Sequence, residues 1–175
     1  MGLIAAAPSH LAAIVDLVNS AYRGETSRQG WTTEADYIDG QRTDVETLAK
    51  DLAANPRAEL LMLREDADGA LLGCVWLEPT DETETWYLGM LTVRPDLQDR
   101  RLGRALLEAA EQAAAARGAT RIRMTVVSIR DTLIAWYQRR GYALTGETRP
   151  FPYEDARFGR PRRPDLAFVV LEKAL

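Results

Sequence analysis

LTVRPDLQDRRLGRALLEAAEQAAAARG, residues 91–118, carries the strongest structural signals of the chain. It begins as the end of an apolar strand, and Pro95 ends that strand because proline cannot donate a hydrogen bond to a β-ladder. A helix follows, since apolar residues recur every three or four positions until Gly118, a typical residue just after a helix. The residues on this apolar face are Leu102, Ala105, Leu106, Ala109, Ala113 and Ala116. The pattern predicts a strand followed by a helix that packs on a sheet.

The turn between this strand and this helix, residues 98–104, combines features that favour an anion. The first N–H groups of a helix have no backbone partner and suit a phosphate. Arg100, Arg101 and Arg104 add positive charge where an isolated helix would favour acidic side chains. Gly103 lacks a Cβ and lets another group approach the backbone closely. The turn therefore predicts a phosphate-binding site.

The composition is that of an ordinary globular protein. With 175 residues, 46% hydrophobic and 27% charged, the chain is expected to form one domain over residues 1–175. The net charge of −4 argues against nucleic acid as a partner. A membrane partner is not expected either, because no apolar run approaches the roughly 20 residues of a membrane helix.

Two residue types that occur only once limit the chemistry. His10 is the single histidine, which excludes most Ser-His-Asp, Cys-His and zinc schemes, so no metal is expected. Cys74 is the single cysteine and cannot form an internal disulfide. Because the N-terminus also lacks the basic lead of a signal peptide, we expect a cytoplasmic protein.

The remaining residues predict a mixed α/β chain. Four helices are expected, the one described above and three at about residues 8–22, 43–54 and 131–140. Asp68 and Gly69 predict a tight hairpin turn. Hairpin strands that precede strand–helix–strand units imply one mixed sheet. The predicted strands are residues 2–6, 59–65, 70–78, 84–93, 120–127, 142–148 and 166–173.

The connection between the last two strands, residues 149–165, is unusually long. It holds four prolines, three aromatic residues and five arginines. Structureless loops of this length are uncommon unless they have a function. This one is interpreted as a lid or wall over the site that binds the acceptor substrate. A dimer contact or a surface excursion are the alternatives. Its later arginines favour an acceptor with a carboxylate or phosphate: they are Arg157, Arg160, Arg162 and Arg163.

The turn at residues 98–104 resembles motif A of the GCN5-related N-acetyltransferases, the GNAT superfamily, whose pattern is Gln/Arg-x-x-Gly-x-Gly/Ala. Gln98 and Gly103 match this pattern, whereas Arg101 stands where the first glycine usually does. The order of elements also resembles the GNAT fold over nearly the full chain. The resemblance implies an α/β (α+β) fold with a mixed, mostly antiparallel central sheet of about seven strands and about four flanking helices.

The resemblance further implies that acetyl-CoA is the acyl donor. In this fold the strands that match residues 84–93 and 120–127 part from each other. The pantetheine arm then pairs with the first of them, and the pyrophosphate lies on the turn. Arg130 stands where the family often has asparagine and is expected to reach a phosphate or the pantetheine arm. The implied cofactor-binding residues are Leu91, Thr92, Val93, Gln98, Asp99, Arg100, Arg101, Leu102, Gly103, Arg104 and Arg130.

WYQRRGY, residues 136–142, resembles the Leu-Tyr-x-x-x-Gly-Phe signature of the family. The resemblance implies direct attack of a primary amine on the thioester, with Tyr137 as the acid that protonates the departing thiolate. Because an alkylamine has a pKa of about 10, a base or a water chain must also remove a proton. The candidates are Tyr87, where several relatives carry a glutamate, and Glu84. Glu34 is a further candidate from the acceptor side.

Several readings of the function stay open at this point. The first is acetylation of a small-molecule amine, with Trp31, Glu34, Phe151 and Tyr153 expected near the acceptor. The second is acetylation of a protein N-terminus or a lysine. The third is a non-catalytic regulatory module that binds acyl-CoA. In that case Arg101 and Arg130 would mark the divergence of this chain from the residues usual in the family. A homodimer is also open, because exposed edge strands such as residues 166–173 invite pairing.

Overall fold

The computed structural model describes residues 2–66 and 69–175, apart from the side chain of Asp99. The described residues contain four α-helices: α1 (Leu11–Tyr22), α2 (Val45–Ala54), α3 (Leu102–Ala116) and α4 (Asp131–Gln138). The same residues contain nine strands: β1 (Leu3–Ala5), β2 (Ile38–Asp39), β3 (Glu59–Arg64), β4 (Leu71–Pro79), β5 (Thr85–Val93), β6 (Arg121–Val127), β7 (Ala143–Pro150), β8 (Arg160–Pro161) and β9 (Ala167–Ala174).

Seven of these strands form one sheet in the order β1-β3-β4-β5-β6-β9-β7. All neighbours in it are antiparallel except β5 and β6, which are parallel. The predicted mixed, mostly antiparallel sheet of seven strands with four helices is therefore confirmed. β3 and β4 pair as a hairpin, as expected, although Asp68 of the predicted turn lies outside the described residues.

The prediction that residues 166–173 form an exposed edge strand is wrong. β9 lies between β6 and β7, so the edges of the sheet are β1 and β7. Consecutive fully buried apolar residues mark a strand that is covered on both faces. Val170 and Leu171 of β9 form such a pair, because both are fully buried. A homodimer stays a prediction, and this strand no longer supports it.

The buried face of α3 also differs from the prediction. Leu106 is buried as expected, but Ala105 and Ala116 are exposed. The helix is so rich in alanine that several frames of the helical period fit its sequence equally well. The residues that the helix buries are Leu106, Leu107, Ala110, Glu111 and Ala114.

Two segments without a predicted element pair with each other. β2 and β8 form a short antiparallel ladder that joins residues 23–40 to the 149–165 connection. The N–H of Arg162 donates to the carbonyl of Tyr37 at 2.8 Å, and the Arg162 side chain pairs with Asp39 at 2.8 Å. The long connection is thus fastened to the segment before α2 and forms a wall with it.

The parallel ladder between β5 and β6 is short. It runs only from the Thr85–Arg121 pair to the Tyr87–Arg123 pair, after which the two strands separate as the resemblance implied. On the other side of β5, the register with β4 shifts between Cys74 and Trp76. Met90 adopts a φ of 51° at this bulge, which bends β5 away from a regular strand. An opening therefore lies beyond Tyr87 in the middle of the sheet.

The β2–β8 wall is testable at Gly159, whose φ is 88°. A methyl group there would lie 2.5 Å from the carbonyl oxygen of Asp39. Gly146 has a similar φ of 84° but open space around it. We predict that Gly146→Ala lowers the free energy of unfolding by about 1 kcal/mol through backbone strain, and that Gly159→Ala lowers it by about 1–3 kcal/mol more.

Urea unfolding of both variants measures this difference. Equal losses would show that β8 does not pack on β2 as described.

Candidate active site

One cavity lies in the opening between β5 and β6, and a second lies at the end of β5 beside α3 and α4. The larger has a volume of about 850 Å³ and the smaller about 350 Å³. Five residues line both cavities and mark the place where they meet: Tyr22, Leu91, Arg130, Leu133 and Tyr137. The five come from α1, β5 and α4 and from the residue just before α4. A group bound in one cavity can therefore reach a group bound in the other.

The smaller cavity collects most of the predicted cofactor residues. Arg100 is exposed and Leu102 is half-buried, and neither lines this cavity. The side chain of Asp99 lies outside the described part of the chain. The predicted residues that do line it are Leu91, Thr92, Val93, Gln98, Arg101, Gly103, Arg104 and Arg130.

Arg101 has a left-handed backbone conformation, with a φ of 61° and a ψ of 12°. This conformation favours glycine, the residue that the motif usually has there. Arg101 adopts it nevertheless, and its carbonyl accepts the first hydrogen bond of α3, from Ala105 at 3.1 Å. As in every α-helix, the N–H groups of the first turn have no partners within the helix. In α3 this turn borders the smaller cavity.

Gly103 lies in that first turn. A methyl group there would be 3.6 Å from the Trp136 ring and 4.0 Å from Val93, which are ordinary contact distances. The packing of the protein therefore does not require a glycine at this position. Its missing side chain leaves space that belongs to the cavity instead.

Gln98 joins the end of β5 to the segment before α2. Its Oε1 accepts from the N–H of Trp31 at 3.1 Å, and its Nε2 donates to the carbonyl of Val93 at 3.3 Å. This brings Trp31 to the smaller cavity, where its ring lies 6.1 Å from that of Trp136. Trp31 was expected near the acceptor, and the structure places it with the predicted cofactor residues.

Arg140 also lines the smaller cavity, although it is not among the residues predicted from the sequence. Its guanidinium carbon lies 3.6 Å from the centre of the Trp136 ring, and its Nη1 donates to the carbonyl of Trp136 at 2.7 Å. Burial lowers the pKa of Arg140, and the positive charges of Arg139 and Arg104 lower it further. Its Nε is buried and has no partner among the described residues. The arginine pair before Gly141 was the available signal, but it also fits an ordinary helix end.

Tyr137 lies at the meeting point of the two cavities and is 6% exposed. Among the residues that the structure describes, none forms a hydrogen bond with its hydroxyl. Burial raises the pKa of Tyr137 well above its ordinary value, and the neighbouring Tyr22 acts in the same direction. The side chain is consequently a neutral phenol at neutral pH, with a proton that no described group holds.

A buried ion cluster forms part of the wall of the larger cavity. Glu34 accepts from Arg23 at 3.0 Å and from Arg130 at 3.1 Å. Arg130 also donates to Thr32 at 2.8 Å. The Arg130 side chain, which lines the smaller cavity, is therefore already bound by Glu34 and Thr32. Glu34 uses both carboxylate oxygens on arginines, so its part in the site is to position them.

The two other candidates for the base differ in position. Tyr87 lines the larger cavity, and its ring lies over Gly89, where a methyl group would come within 2.7 Å of the ring. Glu84 lines neither cavity and accepts a hydrogen bond from Thr120 at 3.3 Å. A strand rises about 3.3 Å per residue, so Glu84 lies roughly 20 Å from Leu91 along β5. The structure thus brings Tyr87 to the site and leaves Glu84 outside it.

The two residues of the 149–165 connection that were expected near the acceptor lie in different places. Phe151 lines the larger cavity and stacks on Phe168 at 5.5 Å. Tyr153 lines neither cavity. Its hydroxyl donates to the carbonyl of Arg163 and accepts from the N–H of Leu166, both at 2.8 Å. Tyr153 therefore shapes the connection and does not face the acceptor cavity.

Three of the four arginines that were expected to attract an anion are paired with nearby acids. Arg157 pairs with Asp155 and Arg163 with Asp165, each at 2.6 Å, and Arg162 pairs with Asp39. Arg160 belongs to β8 and does not line the larger cavity. The connection itself is therefore a weak source of positive charge for an acceptor.

Within residues 2–66 and 69–175, no helix has the length and apolar character needed to cross a membrane. The cytoplasmic location stays a prediction. The same residues contain no group of three or more His, Cys, Asp or Glu side chains placed to hold a metal ion.

Comparison with known proteins adds a family match. The model of the acetyltransferase (GNAT) family matches residues 12–142. Mycothiol acetyltransferase from Beutenbergia cavernae is 36% identical over 83 residues, which are 47% of this chain. The match spans only 28% of the length of that relative.

Solved structures share the fold over most or all of the chain. Ribosomal-protein-alanine N-acetyltransferase from Brucella melitensis has a TM-score of 0.70 and 18% identity, with 100% of both chains covered. A GNAT family acetyltransferase from Elizabethkingia anophelis with acetyl-CoA bound has a TM-score of 0.57 and 16% identity. That match covers 73% of this chain and 82% of the other. At such identities the likeness shows the fold.

The backbone at Arg101 generates a prediction about stability. Because a left-handed conformation costs an ordinary residue about 1–2 kcal/mol, Arg101→Gly is expected to raise the free energy of unfolding by about 1 kcal/mol net of the greater flexibility of glycine. The control is Arg100→Gly, which lies one position earlier without a positive φ and is expected to be slightly destabilising.

Chemical denaturation of both variants tests this. Destabilisation by Arg101→Gly would mean that position 101 does not have the left-handed backbone.

Proposed function

Because the chain belongs to the acetyltransferase (GNAT) family and is an acyltransferase, we propose that it transfers the acetyl group of acetyl-CoA to the primary amine of a small molecule. The observation that supports the proposal most directly is that Tyr137, whose hydroxyl has no partner among the described residues, lines both cavities. One cavity takes the donor and the other the acceptor, so the reacting atoms come together beside a phenol.

The smaller cavity suits the donor in its chemistry. Acetyl-CoA carries phosphates, and the helix start after Arg101 offers N–H groups without helical partners. The side chains of Arg101, Arg104 and Arg140 lie around the same space. Glu108 pairs with Arg104 at 2.8 Å, so positive charge stays in excess there. The buried, unpartnered Nε of Arg140 supports the same assignment.

Acetyl-CoA supplies an acetyl thioester, in which the carbon–sulfur bond breaks as the carbon–nitrogen bond to the amine forms. Tyr137 holds a proton at Oη for the departing sulfur, as a general acid. The attacking nitrogen must lose a proton on the other side. Tyr87 lines the larger cavity, where its hydroxyl can order the water that removes this proton.

The shape of the larger cavity favours a small acceptor. The 149–165 connection and the 23–40 segment are fastened together by β2 and β8 and wall the cavity. A protein substrate, acetylated at its N-terminus or at a lysine, would instead need an extended open groove for its polypeptide chain. The phenol of Tyr137, which no described residue holds by a hydrogen bond, also favours an enzyme over a regulatory module that only binds acyl-CoA.

Tyr137→Phe tests the acid. We predict a loss of at least 100-fold in kcat with acetyl-CoA affinity changed less than threefold, because the ring remains and only the proton donor is removed. Tyr142→Phe is the matched control. Its hydroxyl is also buried, but it donates to Glu111 at 2.9 Å and lies outside both cavities.

Release of the CoA thiol from acetyl-CoA measures the rate, and calorimetry measures the affinity for acetyl-CoA. A Tyr137→Phe variant with wild-type kcat would remove Tyr137 from the role of acid. Equal losses in the two tyrosine variants would assign the effect to folding.

A further inference from the structure

The buried ion cluster of the larger cavity has more positive than negative charge. Arg23, Arg130 and Glu34 are 6%, 8% and 5% exposed. Two guanidinium groups share one carboxylate, which leaves one positive charge over. A buried ion without a counter-ion carries a large desolvation penalty. The cluster is therefore electrostatically incomplete.

The neutral groups around the cluster do not supply the missing charge. Arg23 donates to the carbonyls of Gln41 and Phe158, which accept hydrogen bonds but carry no charge. Burial raises the pKa of Tyr22, so this phenol is neutral too. Burial also lowers the pKa of Arg23, an effect that the carboxylate of Glu34 opposes without cancelling it. The cluster has room for a further negative charge.

A third guanidinium lies on the same wall. Arg42 is half-buried, with its guanidinium carbon 5.7 Å from the centre of the Tyr22 ring. Arg130 lies at the same distance from that ring. The backbone N–H of Arg42 donates to Asn19 at 2.7 Å, which fixes the position of the residue. Among the described residues no acid pairs with the Arg42 side chain.

The rest of the cavity wall does not reverse this balance. Among the described residues, six arginines and four acidic residues line the cavity. Of the acids outside the cluster, Glu82 is paired with Arg123 at 2.7 Å, and Asp81 is exposed. Glu78 lies near the end of β4, next to these two residues in sequence. Of the acids that line this cavity, only Glu34 pairs with the arginines of the buried cluster.

We propose that the acceptor is an amine that carries a carboxylate or phosphonate only a few bonds from its nitrogen, and that this anionic group binds between Arg42 and the Arg23–Glu34–Arg130 cluster. The inference rests on the proposed function. The short separation follows from the geometry, because Tyr22 and Arg130 line both cavities and so place the anionic group beside the reacting nitrogen. A compact amino acid or aminophosphonate meets these conditions, whereas a polyamine brings no anion.

The test is an acceptor panel with acetyl-CoA and detection of the released thiol. The panel pairs amino acids of different lengths with their carboxamides and decarboxylated amines, and it adds aminoalkylphosphonates and polyamines. We expect kcat/KM to be at least 100-fold higher for an anionic member than for its neutral partner. Comparison of the amino acids with the aminoalkylphosphonates shows whether the site prefers a carboxylate or a phosphonate.

Arg42→Gln identifies the residue that recognises the anion. It is expected to raise KM for anionic acceptors at least tenfold, with kcat and the KM of acetyl-CoA nearly unchanged and no effect on the neutral partners. Arg42→Lys retains the charge and should restore part of the affinity. Lys50→Gln is the control for charge, because it removes one positive charge from the exposed face of α2, outside both cavities.

Binding of the panel to the protein with CoA is measured separately, by the shift in melting temperature. Stabilisation by anionic members, lost in Arg42→Gln, supports the inference even if turnover is slow. Acetylation with equal efficiency for neutral amines or polyamines would overturn it and leave the proposed function intact. Absence of any shift with anionic members would also overturn it. Absence of acetyl-CoA binding would overturn the proposed function itself.

Discussion

The separation of β5 from β6 after Tyr87 is the constraint on which the rest of the site depends. The two strands form only a short parallel ladder, and the bulge at Met90 turns the end of β5. A closed sheet would leave no space between α1, α4 and the strand ends. Because the sheet opens there, the larger cavity is lined by both strands, and the smaller one extends from the end of β5 to α3 and α4. The phenol of Tyr137 belongs to both.

Positive charge without enough acid is the second common feature of the two cavities. Around the smaller cavity, Arg101 and Arg140 stand near a helix start that would by itself favour anions. In the larger one, two buried arginines share Glu34. Such arrangements lower the stability of the protein alone and are relieved when an anionic ligand binds. Both cavities are therefore consistent with the simultaneous binding of two anionic compounds.

Much of the fold could be predicted from periodicity, because the strands and α1 show clear apolar patterns. The frame of α3 could not, since its alanines fit several frames equally, and Ala105 is exposed. The place of β9 also depends on tertiary pairing that no local pattern encodes. In the site, the turn before α3 was predictable from glycine and charge. The Arg130–Glu34 pair was not, because its partners lie 96 residues apart in sequence.

The most direct test of the account is calorimetric titration of the protein with acetyl-CoA, CoA and ATP. We expect acetyl-CoA and CoA to bind and ATP not to bind. Gly103→Leu should weaken binding of both at least tenfold by filling the smaller cavity. Ala105→Leu, an exposed change on the same helix, should not. Absence of binding to acetyl-CoA and CoA, or unchanged binding in Gly103→Leu, would contradict the account.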